Sequence, residues 1–384
     1  MSTPSLLNIP YRLKAGTLYS QIPETGLGDF VVTRSASNVA TRVNSFGFIE
    51  TVADNVPRLD YPVGGVANGC PSLLIEASST NLVLHSRDLT NVAWVSTNVT
   101  PVKNAVGADN VASGATTLTA TAANATILQS LTHTSQSRIF SAYVRRVTGT
   151  GTIEMTTDGG TNWTAVTITS SYTRVACAPQ TVTNGSVGFR IVTSGDAIVV
   201  DFCQSESGTI ATSAIPTTTV AITRGADVIR KTGITSILGQ SEGTVYFEVE
   251  VTDEARNKWF CTLDSSATSF IQMWVNPSRQ ISAQINNSGT IVVSVLTSSV
   301  LTLGYHKVAF AYNTATNGCI MYVDGVQNPA TTRTVGSPGL PAFNDMRFGG
   351  YIAGITESIK GHIRAGAVYP NRLSNTELAA LTQP

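Results

Sequence analysis

The stretch FGFIETVADNVPRLDYPVGGVANGCPSLLIEASSTNLVLHSRDLTNVAW, residues 46–94, decides how the rest of this chain is organised. Its prolines and glycines, concentrated in residues 56–65, indicate an extended path. The apolar residues of LLIE, 73–76, then predict a first buried strand. Because the stretch carries almost no catalytic-looking side chains, we interpret it as a junction between an N-terminal arm and two β-rich domains.

Composition favours a mainly β protein with more than one domain. A chain of 384 residues is too long for one ordinary core. Charged residues make up only 12%, against about 25% in typical soluble domains. Thr, Ser, Val, Asn and Gly take their place, and these residue types suit pleated strands and turns.

The charge balance excludes several classes of partner. Lys and Arg together number 24, as do Asp and Glu, and neither sign forms a run. Nucleic-acid binding needs a basic surface, and so does binding to an anionic membrane. No apolar run reaches the roughly 18 residues of a membrane span, and the first residues lack the order of a secretory signal. We therefore expect neither nucleic acid nor membrane insertion, and folding in a cytoplasm.

The cysteines predict no metal site. All five stand apart and none forms a CxxC pair: Cys70, Cys177, Cys203, Cys261 and Cys319. We expect small buried hydrophobes in a reducing compartment. A disulfide between Cys177 and Cys203 is the alternative. The sequence predicts no cofactor.

Residues 81–207 have the pattern of a β-sandwich. Short apolar runs recur between turn residues, without a helical pattern between them, at the roughly 8–12-residue spacing of sandwich strands. A jelly roll would bury FSAYV (140–144) and AIVVDF (197–202) in one core. Residues 208–242 then form a second junction, in which Arg224 and Asp227 are spaced for a local, exposed ion pair.

The last part of the chain predicts a second sandwich. GTVYFEVEV (243–251) alternates strictly between apolar and polar residues, and five further runs predict antiparallel strands. Asp324 and Gly325 predict a type I′ hairpin turn. A helix follows near the end, where Ser374 and Glu377 form a capping box.

Several segments, taken together and in order, resemble the opening of tailed-bacteriophage fibre, spike and other appendage proteins. They are TRSASNVATRVNSFGFIE (33–50), NVPRLDY (55–61), CPSLLIEASSTNLVLHS (70–86), NVAW (91–94) and ATSAIPTTTVAITRGADV (211–228). The resemblance implies a virion surface protein, assembled as a homotrimer and attached to other virion proteins through its N-terminal arm. No fibrous shaft or β-helix repeat is visible, which favours a short head or tail appendage.

The C-terminal half resembles a laminin-G-like, concanavalin A-type sandwich. The matching segments are HKVAFAYN (306–313), MYVDGV (321–326) and GHIRAGAVYPNRLSNTELAAL (361–381). The middle domain is similar in pattern to carbohydrate-binding jelly rolls. The predicted organisation is an arm over residues 1–71, a jelly-roll-like sandwich over 72–230 and a laminin-G-like sandwich over 231–384.

Alternation in two neighbouring strands gives a candidate glycan-binding surface. FIQMWVN and QISAQIN point their aliphatic residues to one side of the predicted sheet. The opposite side then carries an aromatic ring among amides: Gln272, Trp274, Asn276, Gln284 and Asn286. Sugars stack on aromatic rings while amides bind their hydroxyls. The alternative is that Trp274 covers the sheet under a loop or at a subunit interface.

A pair of acids gives the enzymatic alternative. Glu248 and Glu250 share a strand face, with Cα atoms roughly 7 Å apart, and glycosidase carboxyl groups lie about 5–9.5 Å apart. The third acid of the concanavalin A-like glucanase pattern is missing, because Val251 and Thr252 follow. We therefore predict no catalytic residue and a protein that is not an enzyme.

Other motifs have structural explanations. TTDGGTNW (156–163) has the spacing of an Asp-box, but one copy cannot build a propeller, so we predict a turn with a buried or half-buried Trp163. The four histidines stand apart from Cys, His and acidic neighbours in sequence and predict no site: His85, His133, His306 and His362. Asp324 needs no metal, since its turn explains it.

From the resemblance to phage appendage proteins we therefore expect a virion surface appendage made in the host cytoplasm, which oligomerises and engages host-surface polysaccharide by avidity. Two alternatives stay open: a glycan-degrading depolymerase, and a scaffold or decoration protein without a ligand.

Overall fold

The computed structural model describes residues 2–11, 13–35, 39–61, 70–313, 318–329, 332–333, 340–350 and 359–384. Within these ranges the chain forms 33 strands and one helix, α1 (Asn375–Leu381). Every strand pairing recorded there is antiparallel, and the predicted mainly β fold with two antiparallel sandwiches is confirmed. No helix in the described ranges has the length and apolarity to cross a bilayer.

The strands fall into three groups along the chain. Up to residue 81 they are β1 (Leu6–Asn8), β2 (Leu13–Lys14), β3 (Thr17–Leu18), β4 (Phe30–Thr33), β5 (Thr41–Val43), β6 (Ile49–Thr51), β7 (Arg58–Asp60), β8 (Ser72–Ile75) and β9 (Ser79–Asn81). The next are β10 (Val95–Thr97), β11 (Val99–Ala105), β12 (Ala115–Ala120), β13 (Ala125–Ser130), β14 (Gln136–Thr148), β15 (Ile153–Thr156), β16 (Thr164–Val166), β17 (Thr173–Ala176), β18 (Gln180–Val182), β19 (Ser186–Ile191), β20 (Ala197–Ser207) and β21 (Ile222–Arg224). The last are β22 (Val228–Lys231), β23 (Glu242–Val251), β24 (Lys258–Ser266), β25 (Ser269–Val275), β26 (Ile281–Asn287), β27 (Thr290–Leu296), β28 (Gly304–Asn313), β29 (Ile320–Val323), β30 (Val326–Pro329), β31 (Thr332–Arg333), β32 (Asp345–Phe348) and β33 (Gly361–Tyr369).

Two sheets of the middle group form what we call the inserted sandwich. One has the order β10-β13-β19-β15-β16, and the other the order β11-β12-β20-β14-β17, with β18 also on β14. Phe140 and Val144 share its core with Ile198 and Val200, as the sequence predicts. Phe140 meets Phe189 of the opposite sheet edge to face, with ring centroids 5.4 Å apart.

Two larger sheets form what we call the large sandwich. One has the order β30-β29-β28-β23-β33-β8-β7 with β1 also on β33, and the other the order β2-β3-β4-β22-β32-β24-β25-β26-β27-β31. Their inner faces share one apolar core, in which the ring of Phe348 lies 4.4 Å from that of Phe30 and 5.1 Å from that of Phe247. Leu378 of α1 packs on the outer face of the first sheet.

The inserted sandwich interrupts the large one in sequence. The chain enters through β9 and leaves through β21, and these strands pair with Ser79 opposite Arg224 and Asn81 opposite Ile222. Strands on both sides of this ladder in sequence belong to the large sandwich. Sequence analysis assigned residues 72–75 to the first sandwich, but β8 pairs with β7 and β33 in the large one. Sequence pattern alone does not reveal such long-range pairing.

Residues of the predicted arm therefore complete the large sandwich. β4 pairs with β22, and β1 with β33, so that arm strands extend both sheets. Leu6, Leu18 and Phe30 are fully buried in the common core. The apolar runs of the arm are too short to form a core by themselves. The arm is ordered because it packs into the large sandwich.

A buried network of charges lies beside the ladder and connects segments that precede and follow the inserted sandwich in sequence. Arg34 donates to Asp227 at 2.9 Å, and Arg58 donates to Glu76 at 2.8 Å and also to Asp227. Arg224 lies 3.4 Å from Glu76. The predicted exposed pair of Arg224 with Asp227 is wrong, because both side chains are buried and each has other partners. Burial would raise the pKa of Glu76, but Arg224 and Arg58 outweigh it and hold that pKa well below its usual value.

Several local predictions are confirmed. Asp324 and Gly325 both have positive φ, as a type I′ turn requires. Ser374 and Glu377 form both hydrogen bonds of the capping box. Asp158 accepts hydrogen bonds from the backbone and side chain of Asn162 and closes the 156–163 turn beside a half-buried Trp163. All five cysteines are free, so the alternative disulfide is not formed; Cys70 alone is exposed.

Candidate functional site

The outer face of the ten-stranded sheet carries the predicted polar residues. In β25, Ile271, Met273 and Val275 are fully buried in the core of the large sandwich. Gln272 and Trp274 therefore lie on the opposite face. The same alternation in β26 places Gln284 and Asn286 beside them, as the sequence predicts.

Strand register sets which of these residues are neighbours. Gln272 lies opposite Gln284, and Asn286 lies opposite Phe270. Directly opposed residues have Cβ atoms about 4.5–5.5 Å apart, so four of the five predicted residues share one patch. Asn276 follows the end of β25, and its Oδ1 accepts from the amides of Ser278 and Gln280 at 2.9 Å each. Its side chain holds the turn, which alternation could not reveal.

Trp259 is a member of the patch that sequence analysis missed. It lies opposite Trp274, and the two rings stack with centroids 5.9 Å apart and planes 28° apart. The register shifts between Trp259 and Cys261. As a result Phe260 and Cys261 both face the core. A bulge of this kind breaks the alternation by which Trp259 could have been assigned.

The amide of Gln272 is held in a defined orientation. Trp259 Nε1 donates to Gln272 Oε1 at 3.2 Å, and an indole N–H can only donate, so the amide oxygen must face it. Gln272 is 3% exposed, and its Nε2 is buried without a hydrogen-bond partner among the described residues. The two N–H groups of this amide therefore have no acceptor in the part of the chain that the structure describes.

Unused acceptors lie on the same face. Asn286 Oδ1 on β26 and Asp264 Oδ1 on β24 are both buried, and neither has a partner in the part of the chain that the structure describes. A buried polar atom without a partner costs about 1–3 kcal/mol. Unused donors and acceptors side by side suit a ligand whose groups both donate and accept, as hydroxyls do. We call Trp259, Asp264, Gln272, Trp274, Gln284 and Asn286 the tryptophan face.

Ion pairs border the tryptophan face. Arg347 Nη2 lies 3.2 Å from Asp264 Oδ2, and Arg230 pairs with Asp345. Burial raises the pKa of Asp264 even though Arg347 opposes that shift. Thr262, in the row between Arg347 and Gln272, donates to the carbonyl of Gly350 at 2.7 Å.

The acids of the enzymatic alternative lie on the outer face of the other sheet. Glu248 accepts from Arg364 at 3.3 Å, and Glu250 contacts His362 Nδ1 at 2.6 Å. Two histidines that stand apart from acids in sequence have acidic neighbours in space: His362 also contacts Asp60 at 3.0 Å, and His306 contacts Asp324 at 2.5 Å. Those neighbours come from other strands, so sequence spacing gives no sign of them.

His362 carries a positive charge at neutral pH. Burial by itself would lower the pKa of His362, but its hydrogen bonds to Asp60 and Glu250 outweigh that and raise the pKa to about 10. Each carboxylate of the Glu248 and Glu250 pair therefore faces a cation. Among the described residues, no group of three or more His, Cys, Asp or Glu side chains has the geometry to hold a metal ion.

Residues 223–379 match the family described as the concanavalin A-like lectin/glucanases superfamily, within its Laminin_G_3 group. They form a concanavalin A-like domain. The match begins in β21, where the chain leaves the inserted sandwich. Strands that lie outside the matched range complete the sheets of this domain: β1, β2, β3, β4, β7 and β8.

Solved structures that are similar to the chain include a module of one sialidase, a second sialidase and a trans-sialidase. A Ruminococcus gnavus IT-sialidase CBM40 bound to α2,3-sialyllactose is 13% identical, covering 39% of this chain and 86% of that one, with a TM-score of 0.34. The NanB sialidase of Streptococcus pneumoniae is 15% identical (39% and 26% covered, TM-score 0.34). The leech intramolecular trans-sialidase is 19% identical (38% and 23% covered, TM-score 0.33). No curated protein matches the chain.

Proposed function

We propose that this chain is a non-enzymatic subunit of a bacteriophage virion appendage that binds host-surface glycan through the tryptophan face. One observation carries the binding proposal: the buried Nε2 of Gln272, oriented by Trp259, has no partner among the described residues. Buried polar groups in native proteins nearly always have a partner, which supports a ligand at this donor pair.

The chemistry of the tryptophan face suits a sugar. The half-buried Trp274 ring offers an apolar surface on which the C–H groups of a sugar ring can stack. Gln272 Nε2 can donate a hydrogen bond to a ligand, and Asn286 Oδ1 and Asp264 Oδ1 can accept one from it. A hydroxyl can satisfy either kind of group. The match of residues 223–379 to a lectin and glucanase superfamily supports a carbohydrate ligand.

The virion role rests on the resemblance of the opening segments to phage appendage proteins. Those segments supply all five members of the buried charge network: Arg34, Arg58, Glu76, Arg224 and Asp227. Because the segments contribute side chains to one buried charge network, we treat them as a structural unit. Assembly as a homotrimer would repeat a weak site and raise avidity. The mass of the full chain in solution tests this, and a monomer would refute the trimer.

Binding without catalysis is favoured over a depolymerase. Retaining and inverting glycosidases both need one carboxyl group that holds a proton as general acid. Glu248 and Glu250 are instead paired with Arg364 and with the cationic His362. New reducing ends on incubation with host polysaccharide, lost in Glu250→Gln, would overturn the non-enzymatic proposal.

Binding of the full chain to host polysaccharide tests the tryptophan face. We expect Trp274→Ala to weaken binding about tenfold, since an aromatic contact is worth about 0.5–1.5 kcal/mol beyond its area. Gln272→Glu keeps the acceptor for Trp259 but replaces the two donors, and should weaken binding further.

Trp163→Ala is the matched control. Trp163 is half-buried too, but it lies in the inserted sandwich under the guanidinium of Arg190 at 4.5 Å. If Trp274→Ala binds polysaccharide as tightly as the native chain and its thermal unfolding is unchanged, the glycan does not bind at the tryptophan face. A chain that neither binds nor cleaves polysaccharide would be a scaffold.

A further inference from the structure

A cleft of about 370 Å³ lies where the inserted sandwich meets the large sandwich. Tyr143 and Arg174 line it from the inserted sandwich, and Lys360 and His362 from the large one, while the segment 210–214 lies between them. Small-molecule sites commonly have volumes of about 300–1,000 Å³. The cleft is therefore large enough for a ligand that touches both sandwiches.

Arg174 brings a guanidinium to this cleft without a carboxylate. Its Nη2 donates to Ser141 Oγ at 3.0 Å, and its Nη1 donates to the Tyr143 hydroxyl at 3.4 Å. The guanidinium carbon lies 5.1 Å from the centre of the Tyr143 ring. Its Nε is buried without a hydrogen-bond partner among the described residues. Neutral contacts thus fix the position of a cation whose charge they do not balance.

Lys360 brings a second cation from the opposite wall. It is only 6% exposed, and its ammonium lies 3.8 Å from Glu254 Oε1, too far for a hydrogen bond. Glu254 Oε1 already accepts from Arg256 at 2.5 Å. Among the described residues, its ammonium therefore has one long ion pair, to an acid that does not line the cleft.

The other charges along the cleft have close partners. Arg42 pairs with Glu50 at 2.6 Å. His362 lies between Asp60 and Glu250, as described above. Glu76 belongs to the buried network. Among the described residues that line the cleft, Arg174 is thus the cation without an ion pair, and Lys360 has the 3.8 Å pair with Glu254.

We propose that this cleft binds a sugar that bears a carboxylate, with Arg174 as its principal anchor. Arginine presents a planar set of donors that matches a carboxylate, and such charge-assisted hydrogen bonds are stronger than neutral ones. The half-buried Tyr61 and the apolar Ile49 also line the cleft and offer surfaces to the ring carbons. Hexuronic acids and nonulosonic acids both carry this chemistry. The site is distinct from the tryptophan face and does not depend on it.

Calorimetric titration and thermal shift of the full chain test the proposal. The probes are glucuronic acid and N-acetylneuraminic acid, with glucose as the neutral sugar and acetate as the bare anion. The variants are Arg174→Gln, Lys360→Gln and Trp274→Ala. Arg145→Gln is the matched control, because Arg145 also lies over a tyrosine ring, that of Tyr172 at 5.4 Å, but does not line the cleft.

We expect at least one acidic sugar to bind and to raise the unfolding temperature, while glucose and acetate do not. Which of the two acids binds more tightly identifies the source. Arg174→Gln should weaken binding at least about tenfold, Lys360→Gln should weaken it as well, and Arg145→Gln and Trp274→Ala should leave it unchanged. Equal binding of glucose or acetate, no binding at about 10 mM, or full affinity in a folded Arg174→Gln would each overturn the proposal.

Discussion

Arg58 donates to Asp227, which lies 169 residues further along the chain, and both side chains are buried. The contact joins β7 to the segment just after the ladder of β9 and β21. The ion pair thus connects a strand that precedes the inserted sandwich in sequence to the segment that follows it. Glu76 and Arg34 extend the same network from two further segments.

Replacing Arg58 with Met should destabilise the chain strongly. The change leaves Glu76 and Asp227 buried with fewer partners, and breaking a buried pair costs about 3–5 kcal/mol. Arg42→Met is the matched control, because the Arg42–Glu50 pair is partly exposed and such pairs contribute about 0–1 kcal/mol. Urea unfolding measures both changes. If the two variants lose the same free energy of unfolding, the buried network contributes no more to stability than the partly exposed pair.

Stability should fall at alkaline pH through His362. Its pKa is raised to about 10, against about 6.5 when unfolded. Its contribution to the free energy of unfolding is therefore complete below pH ~6.5 and is lost as the pH rises to about 10. In His362→Gln the decline between these limits should be shallower. An identical slope in the two proteins would contradict the assigned charge.

Replacing Gly366 with Ala should destabilise the large sandwich by about 1–3 kcal/mol, the usual cost of overpacking. A Cβ there would lie 2.8 Å from Phe348 and 3.0 Å from Phe247, whose rings are fixed in the core. Gly350→Ala is the control, since its nearest contact would be 3.9 Å away. Thermal unfolding compares the two, and we expect Gly350→Ala to stay within about 0.5 kcal/mol of the native chain.

Deleting residues 1–71 should abolish cooperative folding of the large sandwich. The deletion removes β4 from β22 and β1 from β33, and it uncovers buried core residues. Removing only residues 1–4, which precede β1, should leave the unfolding transition intact. Circular dichroism and thermal unfolding decide between the outcomes. A well-folded chain that begins at residue 72 would show that the arm is dispensable for the fold.

Local features of this chain could be predicted because their causes are local. The alternation of β23 and β25, the Asp324–Gly325 turn and the capping box at Ser374 depend on residues a few positions apart. Four of the five predicted binding residues lie on one face for the same reason. Trp259 was missed because a bulge shifts its strand, and Asn276 was misplaced because its side chain closes a turn.

The sequence by itself determined the β class, the two sandwiches and the polar face of β25, since strand period and turn chemistry are written in neighbouring residues. Only the tertiary structure decided that one sandwich is inserted into the other and that arm strands complete both large sheets. It also decided that His362 meets Asp60 and Glu250, and that Arg174 and Lys360 face one cleft. Those relationships join residues far apart in the chain, and register and burial fix them without leaving a local pattern.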